Sequence, residues 1–435
     1  MNTQIRTSKA MKLFPEVVSE IFKNFSTTVI IHKPQLFPWF LGQICAGWRN
    51  VFFSSTRYIE IDVSEMKQFP DSAAGFERTL DILNFCLKCS KECPLSFTFR
   101  MSTGYYAGEY AYVIDILNAL ISQSMRWLTA EFHSLPDVEL QRLHCVKGRT
   151  PLLQSLVFRH REVWSDCSTI KPVDERFTGP FKQSPSLQRL QLSDMMTISE
   201  FHWSSIESFW LRSLTDAEAG KLVTALSQAT SLKVLFIGRG DISRHPIDID
   251  DAQSMVTLPS LKKLTIDGHN ILGVLTAPGL EHLFFNFGKR KEQIMTISSF
   301  VDRSSCPLKR LSLWYSEPAA TVDVLLHIPG LSSLLLRHNH DGIRGSIKFL
   351  DCDMPEGASL VVPRLKSLKM EITARLDTSL LMEISAMVTS RARNPGVDGL
   401  RELSLRTNST KPRGDVTILK KQCKLHNVKL IVSRF

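Results

Sequence analysis

The chain has 435 residues, 43% hydrophobic and 22% charged, and a formal net charge of +10. That length buries a core without disulfide help, and that composition excludes a disordered, fibrous or disulfide-scaffold class. Positive charge permits nucleic-acid binding, but lysine and arginine are scattered, with no basic run longer than Lys289-Arg290-Lys291, so a solvated basic surface is expected and nucleic acid is not the expected partner.

Residues 1–11 carry Arg6 and Lys9 without a following apolar run, so they read as a disordered tail rather than a secretory signal. No stretch reaches the length of a membrane span, and no membrane partner is expected. A cytoplasmic or nuclear setting, with the nine cysteines reduced, is the expectation. Lys12 to Phe25 reads as a helix with Pro15 in its first turn, where the missing N–H is not needed. It carries Leu13, Val17, Ile21 and Phe22 at helical spacing. Ser26 to Pro38 reads as a connector, because Pro34 and Pro38 break any helix there. Trp39 to Phe53 reads as a second helix, bent at Gly47 if at all, with Ile44, Cys45, Trp48 and Val51 on one face. Two apolar helices this short must pack on each other and on something else. Tyr58 to Val63 alternates as a strand, Asp71 to Cys93 as an amphipathic helix, Pro94 to Arg100 as a strand, and Tyr110 to Ser122 as a helix.

From there a unit of the form Pro-x-Leu-x-x-Leu-x-Leu recurs. It begins at Pro151, Pro185, Pro259, Pro278, Pro329 and Pro363, with variants from Ser231, Pro307 and Gly399 and weaker ones from Ser124, Glu139 and Ser205. Alternation in its second half puts leucines on one face of a strand and the intervening residues in solvent. Proline ahead of the strand removes no ladder donor. One unit cannot bury its apolar face alone, whereas stacked neighbours share a core. Successive units lie about 13 to about 35 residues apart, around the 20–29 typical of leucine-rich repeats, with helices such as Thr215 to Gln228 and Ser379 to Arg391 between them. The expected fold class is α/β: a helical module followed by a leucine-rich-repeat solenoid of parallel strands with outer helices. The expected layout is a tail at 1–11, the module at 12–60 and the solenoid at 61–435, closed by a last strand in CKLHNVKLIV from Cys423.

The N-terminal phrases LFPEVVSEIF and PWFLGQICAGWRNV resemble an F-box, and the whole chain is similar at motif level to fungal F-box proteins with divergent leucine-rich repeats. The matching residues are Leu13, Glu16, Ile21, Ile44, Cys45, Trp48 and Arg49; Phe14 stands where the family has proline, with Pro15 adjacent. The resemblance implies a substrate-recognition adaptor of a ubiquitin ligase, docked on a Skp-family adaptor and through it on a cullin scaffold. The repeats then hold a protein substrate and other subunits supply the ligation chemistry. Under this reading Leu13, Pro15, Ile21, Ile44, Cys45 and Trp48 form an apolar docking surface edged by Glu16 and Arg49; the alternative for Trp48 is core packing inside the module.

Within the repeats, the solvent-side positions include Phe236, His282, Phe284, Arg310, Trp314, Leu335 and Arg337. Apolar groups on such a face mark a substrate-binding surface, unless a one-residue slip in register sends them to the core. Cys86, Cys89 and Cys93 share a helix face and read as packing, since a zinc site needs a fourth ligand. His338-Asn-His-Asp341 reads as a turn. No nucleophile elbow, phosphate loop or zinc-protease motif occurs, so neither an enzyme nor a cofactor is expected. A repeat scaffold without ligase association is the alternative reading.

Overall fold

The computed structural model describes residues 13–23, 28–33, 36, 39–55, 58–63, 72–101, 107–159, 179–193, 201–214, 216–238, 255–267, 271–286, 293–314, 318–352, 361–373, 376–407 and 416–434. The expected tail at 1–11 and the basic run at 289–291 lie outside them. The chain forms two compact units, Met1–Ile206 and Glu207–Phe435.

The first unit contains α1 (Pro15–Lys23), β1 (Thr28–Ile30), α2 (Ala46–Ser55), β2 (Tyr58–Asp62), α3 (Ser72–Cys89), β3 (Leu95–Arg100), α4 (Ala107–Ser122), β4 (Trp127–His133), α5 (Asp137–Arg142), β5 (Ser155–Arg159) and β6 (Arg189–Leu192). Its strands lie in sequence order, β1 to β6, and each neighbouring pair is parallel. Helices α1 to α4 pack successively on one another. The sequence marked Ser26 to Pro38 as a connector. Instead its β-branched residues form β1, paired Thr28 to Tyr58 and Ile30 to Glu60. The expected boundary after residue 60 therefore falls inside β2.

The second unit runs β7 (Ser208–Leu211), α6 (Asp216–Ser227), β8 (Val234–Ile237), β9 (Val256–Thr257), β10 (Lys263–Asp267), β11 (Leu275–Thr276), β12 (His282–Asn286), α7 (Gln293–Ser304), β13 (Arg310–Trp314), α8 (Pro318–Leu326), β14 (Ser333–His338), α9 (His340–Leu350), β15 (Ser367–Ile372), α10 (Thr378–Arg393), β16 (Glu402–Thr407), α11 (Thr417–Leu425) and β17 (Lys429–Arg434). Its main sheet has the order β7-β8-β10-β12-β13-β14-β15-β16-β17, again all parallel, while β9 and β11 pair with each other. Helices α7 to α11 pack in a row. Parallel strands in strict order, joined through helices, make each unit an α/β solenoid of generic kind.

The recurring unit explains this order locally. In six copies the proline occupies the second position of a tight turn closed by the first leucine: Leu261 N–H to Leu258 O at 3.2 Å, Leu280 to Ala277 at 3.1 Å, Leu331 to Ile328 at 3.1 Å and Leu365 to Val362 at 3.1 Å, with Leu153 and Leu187 closing the same turn at 3.3 and 3.2 Å. Proline's fixed φ suits that position. The two strand leucines then stack in register through the second unit: Leu264, Leu283, Leu311, Leu334, Leu368 and Leu403 in one column, Ile266, Phe285, Leu313, Leu336, Met370 and Leu405 in the next. All are buried, and each contributes about 1.5–3 kcal/mol by leaving water.

The variant from Glu139 is not a strand. Leu140, Leu143 and Val146 are buried while Cys145 is exposed; a spacing of three is helical, and the segment forms α5 and a following 3-10 turn.

Three arginines recur as internal clamps. Arg126 donates to Cys93 O and Leu87 O at 2.9 and 3.4 Å, Arg303 to Leu272 O and Leu275 O at 2.7 and 2.9 Å, and Arg391 to Val362 O and Leu350 O at 2.9 and 3.3 Å. Leu87, Leu272 and Leu350 lie in the last turns of helical segments, whose carbonyls lack intrahelical donors and carry partial negative charge.

Candidate functional site

At the N-terminus, α1 has two apolar stripes one residue apart. Val18 and Phe22 face inward, and the Phe22 ring meets Trp48 and Phe52 edge-on, at centroid distances of 5.5 and 5.4 Å. Trp48 is only 7% exposed. The sequence left Trp48 between an outward docking surface shared with Ile21 and the core of the module; the structure places it in that core. Phe14 at 73%, Leu13 and Val17 stand outward at the start of α1, with Leu36 and Phe40 exposed around the turn Trp39–Gln43. Pro15, Glu16 and Arg49 are also on the surface, whereas Ile21, Ile44 and Cys45 are half-buried. The second helix does not run unbroken from Trp39. A 3-10 turn ends at Gln43, and α2 starts after Cys45, whose Sγ lies 3.5 Å from Trp48 N. Arg49 Nε donates to Gly42 O at 2.9 Å and locks turn to helix. Sequence reasoning missed Val17, Leu36 and Phe40 as surface groups; the Val18/Phe22 spacing of four was the available signal.

In the second unit, the seven sequence-chosen residues lie on the sheet face opposite the leucine columns, and none is buried. Register brings them into three rows. Lys263, His282 and Arg310 form the first; Phe236, Thr265, Phe284, Ser312 and Leu335 the second; Asp267, Asn286, Trp314 and Arg337 the third. Phe284 meets Trp314 edge-on at 4.8 Å, and the Arg337 guanidinium sits 4.2 Å above the Trp314 ring, a cation–π contact. Phe236 instead stacks on Trp210, which was missed, at 4.9 Å and 16°. Trp210 is 43% exposed. Asp267 accepts from Asn286 Nδ2 at 2.8 Å. Farther along the same face, Glu371 is buried between Lys369 at 3.6 Å and Arg406 at 3.2 Å. Burial first, then Arg310 and Lys263, holds the His282 ring below its ordinary pKa.

No family model and no curated protein matches this chain.

The matching face of the first unit is polar. The Tyr58 and Thr98 hydroxyls hydrogen-bond each other, Glu131 Oε2 lies 3.5 Å from His133 Nε2, and Glu60 Oε1 lies 3.9 Å from Arg100. The His133 ring is the main cause of a lowered Glu131 pKa, with Arg159 adding to it. Cys86 is buried on α3, and burial pushes its thiol up to about 12, so it is protonated at neutral pH and poor as nucleophile or ligand. Among the described residues, no three metal-ligating side chains converge and no helix is long and apolar enough to cross a membrane.

The cluster expected as a turn is instead a helix start. Asn339 caps α9, its Oδ1 accepting from Gly342 N–H at 2.9 Å. His338 ends β14 on the core side, and burial lowers its pKa to about 4. The unfolded chain binds that proton near pH 6.5 and the folded chain does not. Stability is therefore full above about pH 6.5 and falls as pH drops towards 4, by up to about 3 kcal/mol from this group. His338→Leu is expected to flatten that slope in urea titrations from pH 7 to 4. An unchanged slope rules the assignment out.

Proposed function

We propose that the protein is the substrate-recognition subunit of a Skp–cullin–F-box type ubiquitin ligase. Residues at its N-terminus dock a Skp-family adaptor, and its strands and helices serve as a leucine-rich-repeat scaffold that holds a protein substrate. It works in the cytosol or nucleus, and the ligation chemistry belongs to other subunits. The observation that carries this reading is the exposed group Leu13, Phe14 and Val17 at the start of α1, in the phrase that resembles an F-box. Clustered apolar residues left in water favour a partner. Phe22 and Trp48 serve that surface from behind, by bracing α1 on α2.

The test is co-purification of the full chain with adaptor and cullin. Capture is expected for the unaltered chain and is expected to fall at least about tenfold for Phe14→Asp with Val17→Asp, since interface anchors typically contribute about 2 kcal/mol or more each. Both side chains are exposed, so folding is not at stake. Equal capture of the double variant, or none of the unaltered chain, overturns the reading. A repeat scaffold without ligase association is the second reading. The pairing of β1 with β2 favours it, because it makes the N-terminal segment part of the sheet rather than a separate plug.

A further inference from the structure

The sheet face of the second unit has a chemistry more specific than an apolar patch, and the inference drawn from it rests on the reading of that face as the substrate surface. Its first row holds the exposed cations Lys263 and Arg310 on either side of His282, and neither has an ion-pair partner among the described residues. The adjacent row holds Phe284 and Leu335, half-buried, with Ser312 between them. The third row carries Arg337, spread over Trp314, with Glu371 opposite it on the next strand. The carboxylates around these groups are already engaged: Asp267 by Asn286, Glu281 by Lys262 and Lys309, and Glu371 by Lys369 and Arg406. Two cations therefore line one edge of an apolar floor, and the Trp314–Arg337 pair borders the other. Lys263 and Arg310 stand two strands apart, about 10 Å at their roots, which is the span of about three residues of extended chain.

We propose that this face binds an extended acidic peptide segment of a protein partner, seating an apolar side chain between Phe284 and Leu335 while carboxylates about three residues apart meet Lys263 and Arg310. Burial is the main cause of the lowered His282 pKa, and Arg310 and Lys263 add to it. A nucleic acid fits less well. Base stacking needs open aromatic faces, yet the Trp314 face is covered by Arg337 and the Phe236 ring is already stacked on Trp210. A continuous phosphate backbone would also meet Glu371 and Glu402 on the same face.

The experiment measures binding of fluorescent peptides to the full chain without adaptor or cullin. One set has glutamates spaced by three around a single leucine or phenylalanine, a second replaces each glutamate by lysine, and a third probe is labelled poly(U) RNA. Binding of the acidic set alone is expected, weakening steeply with added salt. Lys263→Glu with Arg310→Glu is expected to lower it at least about tenfold, and Leu335→Ser to lower it for the apolar-centred peptides. The charge reversals are at exposed positions and leave the fold intact, which circular dichroism checks. Equal binding of the lysine set, retention of poly(U) that the same variants remove, indifference to the variants, or no retention of any peptide overturns the proposal. Loss of adaptor capture with acidic-peptide binding intact sinks the ligase reading and leaves this one standing.

Discussion

Trp127→Ala is expected to lower the stability of the first unit by about 4 kcal/mol, the largest loss from any single side chain considered. Trp127 opens β4 and is fully buried. Its ring meets Phe97 edge-on at 5.1 Å and lies 5.9 Å from Phe132, and its Nε1 donates to Leu120 O at 3.0 Å, tying β4 to the end of α4. Alanine removes the ring contacts, leaves a cavity and takes from the Leu120 carbonyl one of its two donors, the other being Gln123 N–H. Trp127→Phe keeps most of the volume and loses the N–H, so about 1–2 kcal/mol is expected. Urea unfolding followed by near-ultraviolet dichroism separates the two. Similar losses for both variants would mean that the hydrogen bond, not the ring cluster, holds this corner.

Arg391→Ala is expected to cost about 3 kcal/mol, and Arg391→Met clearly less. Arg391 lies in the last turn of α10, 1% exposed, and burial holds its guanidinium below its ordinary pKa. It reaches Val362 O at 2.9 Å and Leu350 O at 3.3 Å, and so links α9, α10 and the turn ahead of β15. Val362 has a φ of +46°, an uncommon conformation for a β-branched residue. Alanine removes both guanidinium bonds, leaving Val362 O with the Leu365 N–H alone, and opens space. Methionine loses the same two bonds but fills the volume and relieves the buried charge. A midpoint for Arg391→Met as low as that for Arg391→Ala would show that the two carbonyl bonds outweigh filling and desolvation together. No change in either variant would remove the clamp from the account of stability.

The strands were legible because their signal is local. In PSLKKLTI and PGLEHLFF, period-two leucines follow a proline turn, and β10 and β12 appear where the alternation starts. The solvent-side row through Phe284 and Leu335 followed from the same alternation. The helices α7, α8, α9 and α11 were less visible. In α9, Gly342 and Gly345 weaken helix propensity, and Asn339 serves a helix cap with the same chemistry it would bring to a turn. The strand β1 was hidden by prolines that forbid a helix in its connector but say nothing against three extended residues before them.

By itself the sequence determined the unit that repeats, the face each strand buries and the cations and rings left on the other side. These depend on alternation along a few neighbouring residues. Only the tertiary structure decided that Val18 and Phe22 turn inward while Phe14 and Val17 stay in water, that Trp48 belongs to the interior, that Arg391 is buried and that Phe236 pairs with Trp210 rather than with Phe284. Each of those outcomes is set by partners distant in sequence, and competition between two apolar stripes, or between two neighbouring rings, is resolved by whichever packing buries more surface with its polar groups satisfied.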